Sequence, residues 1–417
     1  MVSDQLDTIV IGAGQAGIAT SKHLSDLGVP HIILERDRIA ERWRSQRWDS
    51  LVANGPAWHD RFPELEFSQI GPDEFASKSQ TVDYFVEYAK QHNAPIHEGV
   101  CVSRVSRNTS RPGFKVETTR GIYDAARVVV ATGPFQNPGF PPITRPSGDI
   151  FQIHSSEYKN PEQLPGGNVL VVGAGSSGVQ IADELQRSGK QTYLSVGPHE
   201  RPPRSYRDRD FVWWLGVLGL WDLEVMEPGK EHVTIAVSGS HGGFTIDFRE
   251  LAHRGVTLVG LTEAFEGKTI HFKDDLSRNI FDGDTSYLSL LDAADEYVRR
   301  NGLDLPEEPT ARKMLPDPEC MTHPIREIDM TASQITSIIW ATGFLSDYGW
   351  LQVDALDGDG KPAHQRGVSS EPGVYFVGLP WLSRRGSSFI WGVWHDAKHI
   401  AGHIATQRQY AAYCPGE

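Results

Sequence analysis

Two stretches of this chain share one pattern of apolar and polar positions. The β-like run Thr8-Ile9-Val10-Ile11 leads into Gly12-Ala13-Gly14-Gln15-Ala16-Gly17 and then an amphipathic stretch through Leu27. Val169-Leu170-Val171-Val172 leads in the same way into Gly173-Ala174-Gly175-Ser176-Ser177-Gly178 and a second helical period. Both read as strand, tight turn and helix. In that context the first glycine allows the turn and the second lets the backbone approach a pyrophosphate. The third lets the helix pack close to the strand, with its amide-rich end facing the phosphates.

The remaining pattern surrounds these two units. His31-Ile32-Ile33-Leu34-Glu35 and Arg127-Val128-Val129-Val130-Ala131 read as strands, the latter ending in Thr132-Gly133. A helix capped by Ser79 carries Val82, Phe85, Val86 and Ala89 on one face, and alternation over Val100–Val105 and Phe114–Glu117 predicts a small antiparallel sheet. The proline- and glycine-rich segment from Asn137 to Gly148 marks a boundary. Beyond it, Phe244–Arg254 and Thr285–Arg300 read as helices, the second capped by Asp284. Thr336–Ala341 reads as a strand ending in Thr342-Gly343, and Val374–Gly378 as a last buried strand. Ser387-Ser388 opens a final helix from Phe389 to about Ala405. The expected fold class is α/β with two Rossmann-like dinucleotide-binding domains. Residues 1–160 and 325–417 form a discontinuous FAD domain, and 161–324 an inserted NADPH domain with a section that shapes the substrate site.

The ends of the two second strands assign the cofactors. Glu35 can accept hydrogen bonds from both ribose hydroxyls and repels a 2′-phosphate. Ser195 holds the matching place in the second unit, and Arg201, Arg204 and Arg207 follow it. A neutral position followed by guanidinium groups suits a 2′-phosphate; the competing reading is a solvated basic loop. FAD at the first turn and NADPH at the second is the resulting expectation.

Composition narrows the class. A net charge of −14 argues against nucleic acid and anionic membrane surfaces. Cys101, Cys320 and Cys414 form no pair or metal-spaced set, so structural disulfides, a dithiol centre and a metal are not expected. The apolar run Phe211–Trp221 is too short to span a bilayer and reads as a buried helix or passage wall. No signal-peptide pattern precedes the first strand, so a cytoplasmic location is expected, with membrane contact a minor alternative and a homodimer left open.

At this point the chain resembles the flavin-containing monooxygenases over nearly its whole length. The likeness rests on the two fingerprints, the paired Ala131-Thr132-Gly133 and Ala341-Thr342-Gly343-Phe344 segments, and the linker Phe151–Tyr158, in which His154 and Tyr158 match the family pattern. Gly148 and Ile150 depart from it, standing where Phe and Gly are usual. Ala53-Asn54-Gly55-Pro56 resembles the family segment whose asparagine sits beside the reactive edge of the flavin, a role the resemblance carries onto Asn54; an ordinary turn is the competing reading. The cofactor set implied extends to Arg36, Trp43, Arg44 and Val102, and to Ser387 and Ser388 at the final helix. The family's Gly-Asp is altered here to Gly378-Leu379. The activity implied is insertion of one oxygen atom from O2 into a nucleophilic nitrogen or sulfur of a small molecule, through a flavin C4a-hydroperoxide, with no metal or protein nucleophile. Tyr158-Lys159 replaces the Trp-Pro of Baeyer–Villiger relatives and favours heteroatom oxygenation. Baeyer–Villiger chemistry on ketones, NADPH oxidation without oxygen insertion, and nucleotide sensing without catalysis stay open. His154 reads as a tie for the linker, and His59, His395 and His399 as satisfied core or surface residues, with lining of the cleft the competing reading. Trp391 and Trp394 read as core or cofactor packing, with a substrate wall as the alternative.

Overall fold

The computed structural model describes residues 6–143, 146, 148, 150–224 and 235–414. Positions 144, 145, 147 and 149 of the expected boundary segment lie outside the described residues. Two parallel sheets dominate. In the first, strands run in the order Ile96–His97, His31–Leu34, Leu6–Ile11 and Gly121–Val130, and Val374–Phe376 pairs with the last of these. The second has the order Thr257–Val259, Thr192–Ser195, Asn168–Val172, Ile335–Trp340 and Phe151–His154.

Both sheets are buried on both faces, which is why their strands read as unbroken apolar runs. Val10, Ile33 and Val129 enter one core with the final helix, while Ile9, Leu34, Val128 and Val130 enter another beneath the antiparallel extension. The second sheet divides identically. Val169, Val171 and Ile339 face one core, and Leu170, Val172, Ile338 and Trp340 the other. The ten-residue strand Gly121–Val130 serves two purposes. Its first half pairs antiparallel with Phe114–Thr118, its second half parallel with Leu6–Ile11.

Several expectations shift. Strands Phe151–His154 and Ile335–Trp340 belong to the second sheet, so that unit begins near residue 150 and ends near 341, outside the expected limits of 161 and 324. The helix expected to be capped by Ser79 starts at Lys78, capped by Ser77 in a reciprocal pair with Gln80, and Ser79 lies inside it. Phe248–His253, capped by Asp247, is shorter than expected. The final helix runs longer, Ile390–Ala412, and Ser387 and Ser388 sit in a 3₁₀ turn before it. The run from Phe211 folds as the helix Phe211–Val217 followed by the turn Leu220–Asp222.

Asp284 is the most instructive case. It lies within the helix Leu276–Asn301, buried, accepting from Arg201 at 2.6 and 2.9 Å and from Arg249 at 2.7 Å. Removing it strands the buried Arg201 guanidinium and leaves Arg249 with Asp317 alone. Asp284→Ala should therefore cost about 3–5 kcal/mol in urea unfolding. A loss of only about 1 kcal/mol, the size of a missing cap, would contradict this account.

Candidate active site

The two glycine turns are built alike. Gly12 and Gly173 take φ of +108° and +105°, a conformation side chains rarely adopt. A methyl group on Gly17 would stand 1.8 Å from the Gly12 carbonyl oxygen, and one on Gly178 would stand 1.8 Å from that of Gly173. Each turn is also wedged against its own Ala-Thr-Gly segment. A methyl on Gly12 would lie 2.7 Å from the Ala131 oxygen, and one on Gly173 would lie 2.5 Å from the Ala341 oxygen. Around Gly14, by contrast, no atom lies within 4 Å of that position, so the backbone is open to a ligand. Gly14 and Gly175 are the N-caps of the helices Gln15–Asp26 and Ser176–Arg187, and neither cap is filled by a side chain. Unfilled amides at a helix N-terminus suit a pyrophosphate. Both cradles fit a dinucleotide.

Around the first cradle, Glu35 accepts from Ala13 N at 2.7 Å and Asp37 N at 2.8 Å. Gln15 donates to the Ser388 carbonyl at 2.7 Å, joining this cradle to the turn before the final helix. Ala16 packs under Gly378. Arg36 is exposed and paired with Asp37, Arg44 donates to Ile39 O, and Trp43 is half-buried beneath the Arg47 guanidinium. Val102 opens the strand Val102–Arg107. Thr132 and Gly133 both accept from Gln136, and Thr342 donates to Gly139 O. His154 bonds Ser156 through Nδ1 and Gly343 O through Nε2, tying the linker as expected. Ser387 is fully buried, its hydroxyl accepting from Ser383 N and Arg384 N, so it closes the turn and does not face a cofactor. Around the second cradle, Ser176 donates to Ile235 O at 2.6 Å, and Ser177 lies beside it half-buried.

The expected 2′-phosphate set is not assembled. Ser195 is buried, its hydroxyl donating to Gly260 O and accepting from Thr262. Arg201 and Arg204 are 2% and 4% exposed. Arg201 is held by Asp284, and Arg204 by both oxygens of Asp210 at 2.5 and 2.6 Å. Arg207 is paired with Asp295. Each guanidinium is paired with a carboxylate.

Arg204 instead meets the Asn54 loop. It donates to Asn54 O at 2.7 Å while its plane packs against Phe75 and Phe211. Burial pushes Arg204 below and Asp210 above their ordinary values, each opposed by the charge of the other. From the second cradle's helix, Gln180 donates to Asn54 Oδ1 at 2.9 Å and to Val237 O. That occupies the carbonyl end of Asn54 and leaves its NH2 as the free donor. Inside the loop, Asp60 accepts from Gly55 N at 3.0 Å and from His59 Nδ1 at 2.8 Å. A methyl on Gly55 would stand 2.4 Å from the Asp60 carboxylate, hence glycine there. Gln180 and Asp60 were absent from the sequence expectation, and His59 was weighed there only as a cleft-lining alternative to a satisfied core residue. Asp60 and His59 lie close to Asn54 in sequence, but Gln180 is 126 residues away and carries no local signal.

The fold is that of two-dinucleotide flavoproteins. Residues 9–215 match the pyridine nucleotide-disulphide oxidoreductase family. The CzcO-like oxidoreductase of Geobacillus kaustophilus is 34% identical over 405 residues, spanning 96% of this chain and 98% of the relative. The probable indole-3-pyruvate monooxygenase YUCCA1 of Arabidopsis thaliana is 29% identical, spanning 96% of this chain and 89% of that protein. A solved flavin-containing monooxygenase from Stenotrophomonas maltophilia superposes with a TM-score of 0.66 at 20% identity, covering 98% of this chain and 100% of its own. The chain belongs to the CzcO-like oxidoreductases and has the fold of the flavin-containing monooxygenases.

Two predictions follow from the geometry. Gly17→Ala should abolish retention of FAD, and Gly178→Ala should abolish binding of the nicotinamide dinucleotide while FAD stays bound; flavin absorbance and equilibrium dialysis read both. Arg204→Ala should weaken NADPH and NADH by the same factor, because it loosens the Asn54 loop. A loss confined to NADPH would return Arg204 to the 2′-phosphate.

Proposed function

We propose that this protein is an FAD-dependent, NADPH-using monooxygenase that places one oxygen atom from O2 on a nucleophilic nitrogen or sulfur of a small molecule. The observation that carries this reading is the position of Asn54. It is gripped by Gln180, one turn into the helix of the second cradle, yet belongs to the domain of the first. On this reading two dinucleotides, one per cradle, would bring their reactive rings together there. The names of the relatives, a flavin-containing monooxygenase and an indole-3-pyruvate monooxygenase among them, support FAD and NADPH as the pair.

When bound, the flavin supplies hydride acceptance and oxygen activation. The chain does the rest. Gly12, Gly14 and Gly17 set the helix Gln15–Asp26 against one pyrophosphate, and Glu35 offers its carboxylate to the ribose. Gly173, Gly175 and Gly178 repeat the arrangement. The 23-residue final helix starts just beyond Ser388, and its positive end favours negative charge on a nearby ring. Asn54, with its carbonyl end fixed by Gln180, presents N–H donors towards an oxygen in the cleft.

Asn54→Ala should leave FAD bound but raise the hydrogen peroxide released per NADPH consumed by about tenfold or more, the worth of one lost donor at a reacting oxygen. Oxygen-electrode and peroxide assays with an amine or sulfide present measure it. Unchanged coupling would make Asn54 a turn residue. Wild-type protein that converts all consumed O2 to peroxide would overturn the monooxygenase reading.

A further inference from the structure

The loop that carries Asn54 also carries a histidine with an unused nitrogen. His59 is 6% exposed, and its Nδ1 is taken by Asp60. Its Nε2 is buried and has no hydrogen-bond partner. Leaving such a group unpaired costs about 1–3 kcal/mol, so its place in the fold calls for a reason. His154 shows what a purely structural histidine looks like here, with both nitrogens bonded. His199 shows another way to bury one. Its Nδ1 rests on the Gly197 carbonyl, its Nε2 is likewise without a partner, and burial lowers its pKa to about 4, so it stays neutral. His59 differs from both, because a carboxylate holds its far side and can balance a proton gained on Nε2.

The surroundings define what the free nitrogen would meet. The rings of Trp58, Trp221 and Trp391 lie 5.4, 5.5 and 5.7 Å from the His59 ring. Trp58 comes from the Asn54 loop, Trp221 from the inserted section and Trp391 from the first turn of the final helix, so the recess spans the seam between domains. Arg204 spends its charge on Asp210, leaving Asp60 with His59 as its sole ion-pair partner among the described residues. A site with one uncompensated carboxylate and three indole faces attracts an organic cation.

We propose that His59, oriented by Asp60, is the proton acceptor of the Asn54 site, and that it serves an organic ammonium substrate lodged against Trp58, Trp221 and Trp391. This rests on the reading of Asn54 as the reacting centre. An ammonium nitrogen has no lone pair to take an oxygen atom. In the step assigned here its N–H bond breaks, an Nε2–H bond forms, and the electron pair of the broken bond stays on the substrate nitrogen. The positive charge moves to the imidazolium, paired with Asp60, and its proton later passes to water. A sulfide substrate, with no proton to lose, bypasses this step.

The test uses FAD-loaded protein and three probes: N,N-dimethylbenzylamine, trimethylbenzylammonium and methyl phenyl sulfide. Tryptophan fluorescence of the oxidised enzyme reads binding without turnover. Wild type should bind the tertiary ammonium about tenfold or more tightly than the quaternary one, which has no N–H for Nε2. His59→Phe, which keeps an aromatic ring in the recess, should erase that preference. His59→Gln can accept a hydrogen bond but not hold a proton. In it the ratio of amine to sulfide kcat/KM should fall about 100-fold at neutral pH and recover at alkaline pH, where solvent removes the proton. Asp60, Arg204 and Asp210 beside the ring, and Asp222, Arg384 and His395 near Trp221 and Trp391, are the same in wild type and variants. A tertiary-over-quaternary preference that survives His59→Phe would overturn the assignment, as would equal losses for amine and sulfide. If wild type oxygenates neither amine nor sulfide, the monooxygenase reading fails, and the binding preference alone decides for or against His59.

Discussion

The contact on which this molecule is organised is the absence of a side chain between a helix and the turn before it. At Gly17 and again at Gly178, a carbonyl oxygen occupies the space a methyl group would need, 1.8 Å away in both. That approach sets each helix close to its strand and aims unfilled amides at one point. Everything functional is arranged relative to those two points: Glu35 and Ser388 beside the first, Gln180 one turn beyond the second. The Ala-Thr-Gly segments close each turn from behind, which explains why the chain needs two of them.

Between the cradles the molecule uses buried charge to hold a loop. Asn54 is fixed from one side by Arg204 and from the other by Gln180, and the loop is fixed internally by Asp60. Arg204 is neutralised by Asp210 before it reaches Asn54, so it acts as a rigid donor and not as a site for anions. Such a buried pair contributes less to stability than to a single arrangement of its partners. Here the arrangement it selects is the orientation of Asn54. The same economy explains Arg201 and Arg249, which share Asp284 and lock the long inserted helix to the second sheet.

The aromatic recess at the seam has a different logic. Trp221 and Trp391 come from opposite domains and meet over His59, so the recess exists only when the domains are together. Trp391 is part of the packing the sequence led us to expect, but its neighbours are supplied by a section with no readable motif.

Tertiary structure alone paired each fingerprint with its own Ala-Thr-Gly segment; the sequence by itself determined the two strand–turn–helix units. Those features depend on neighbours a few residues apart and on the period of apolar positions, which survive in a linear reading. Tertiary structure alone decided what Ser195, Arg201, Arg204 and His59 do. A guanidinium looks the same in sequence whether solvent, a phosphate or a carboxylate faces it, and Asp284 lies 83 residues from Arg201. Equally, nothing near Asn54 in the chain announces Gln180, because a side-chain amide on a helix declares its partner only once two sheets have packed side by side. Charge and hydrogen-bonding capacity are written residue by residue; whether they are spent on the fold or kept for a ligand is settled by distance in space.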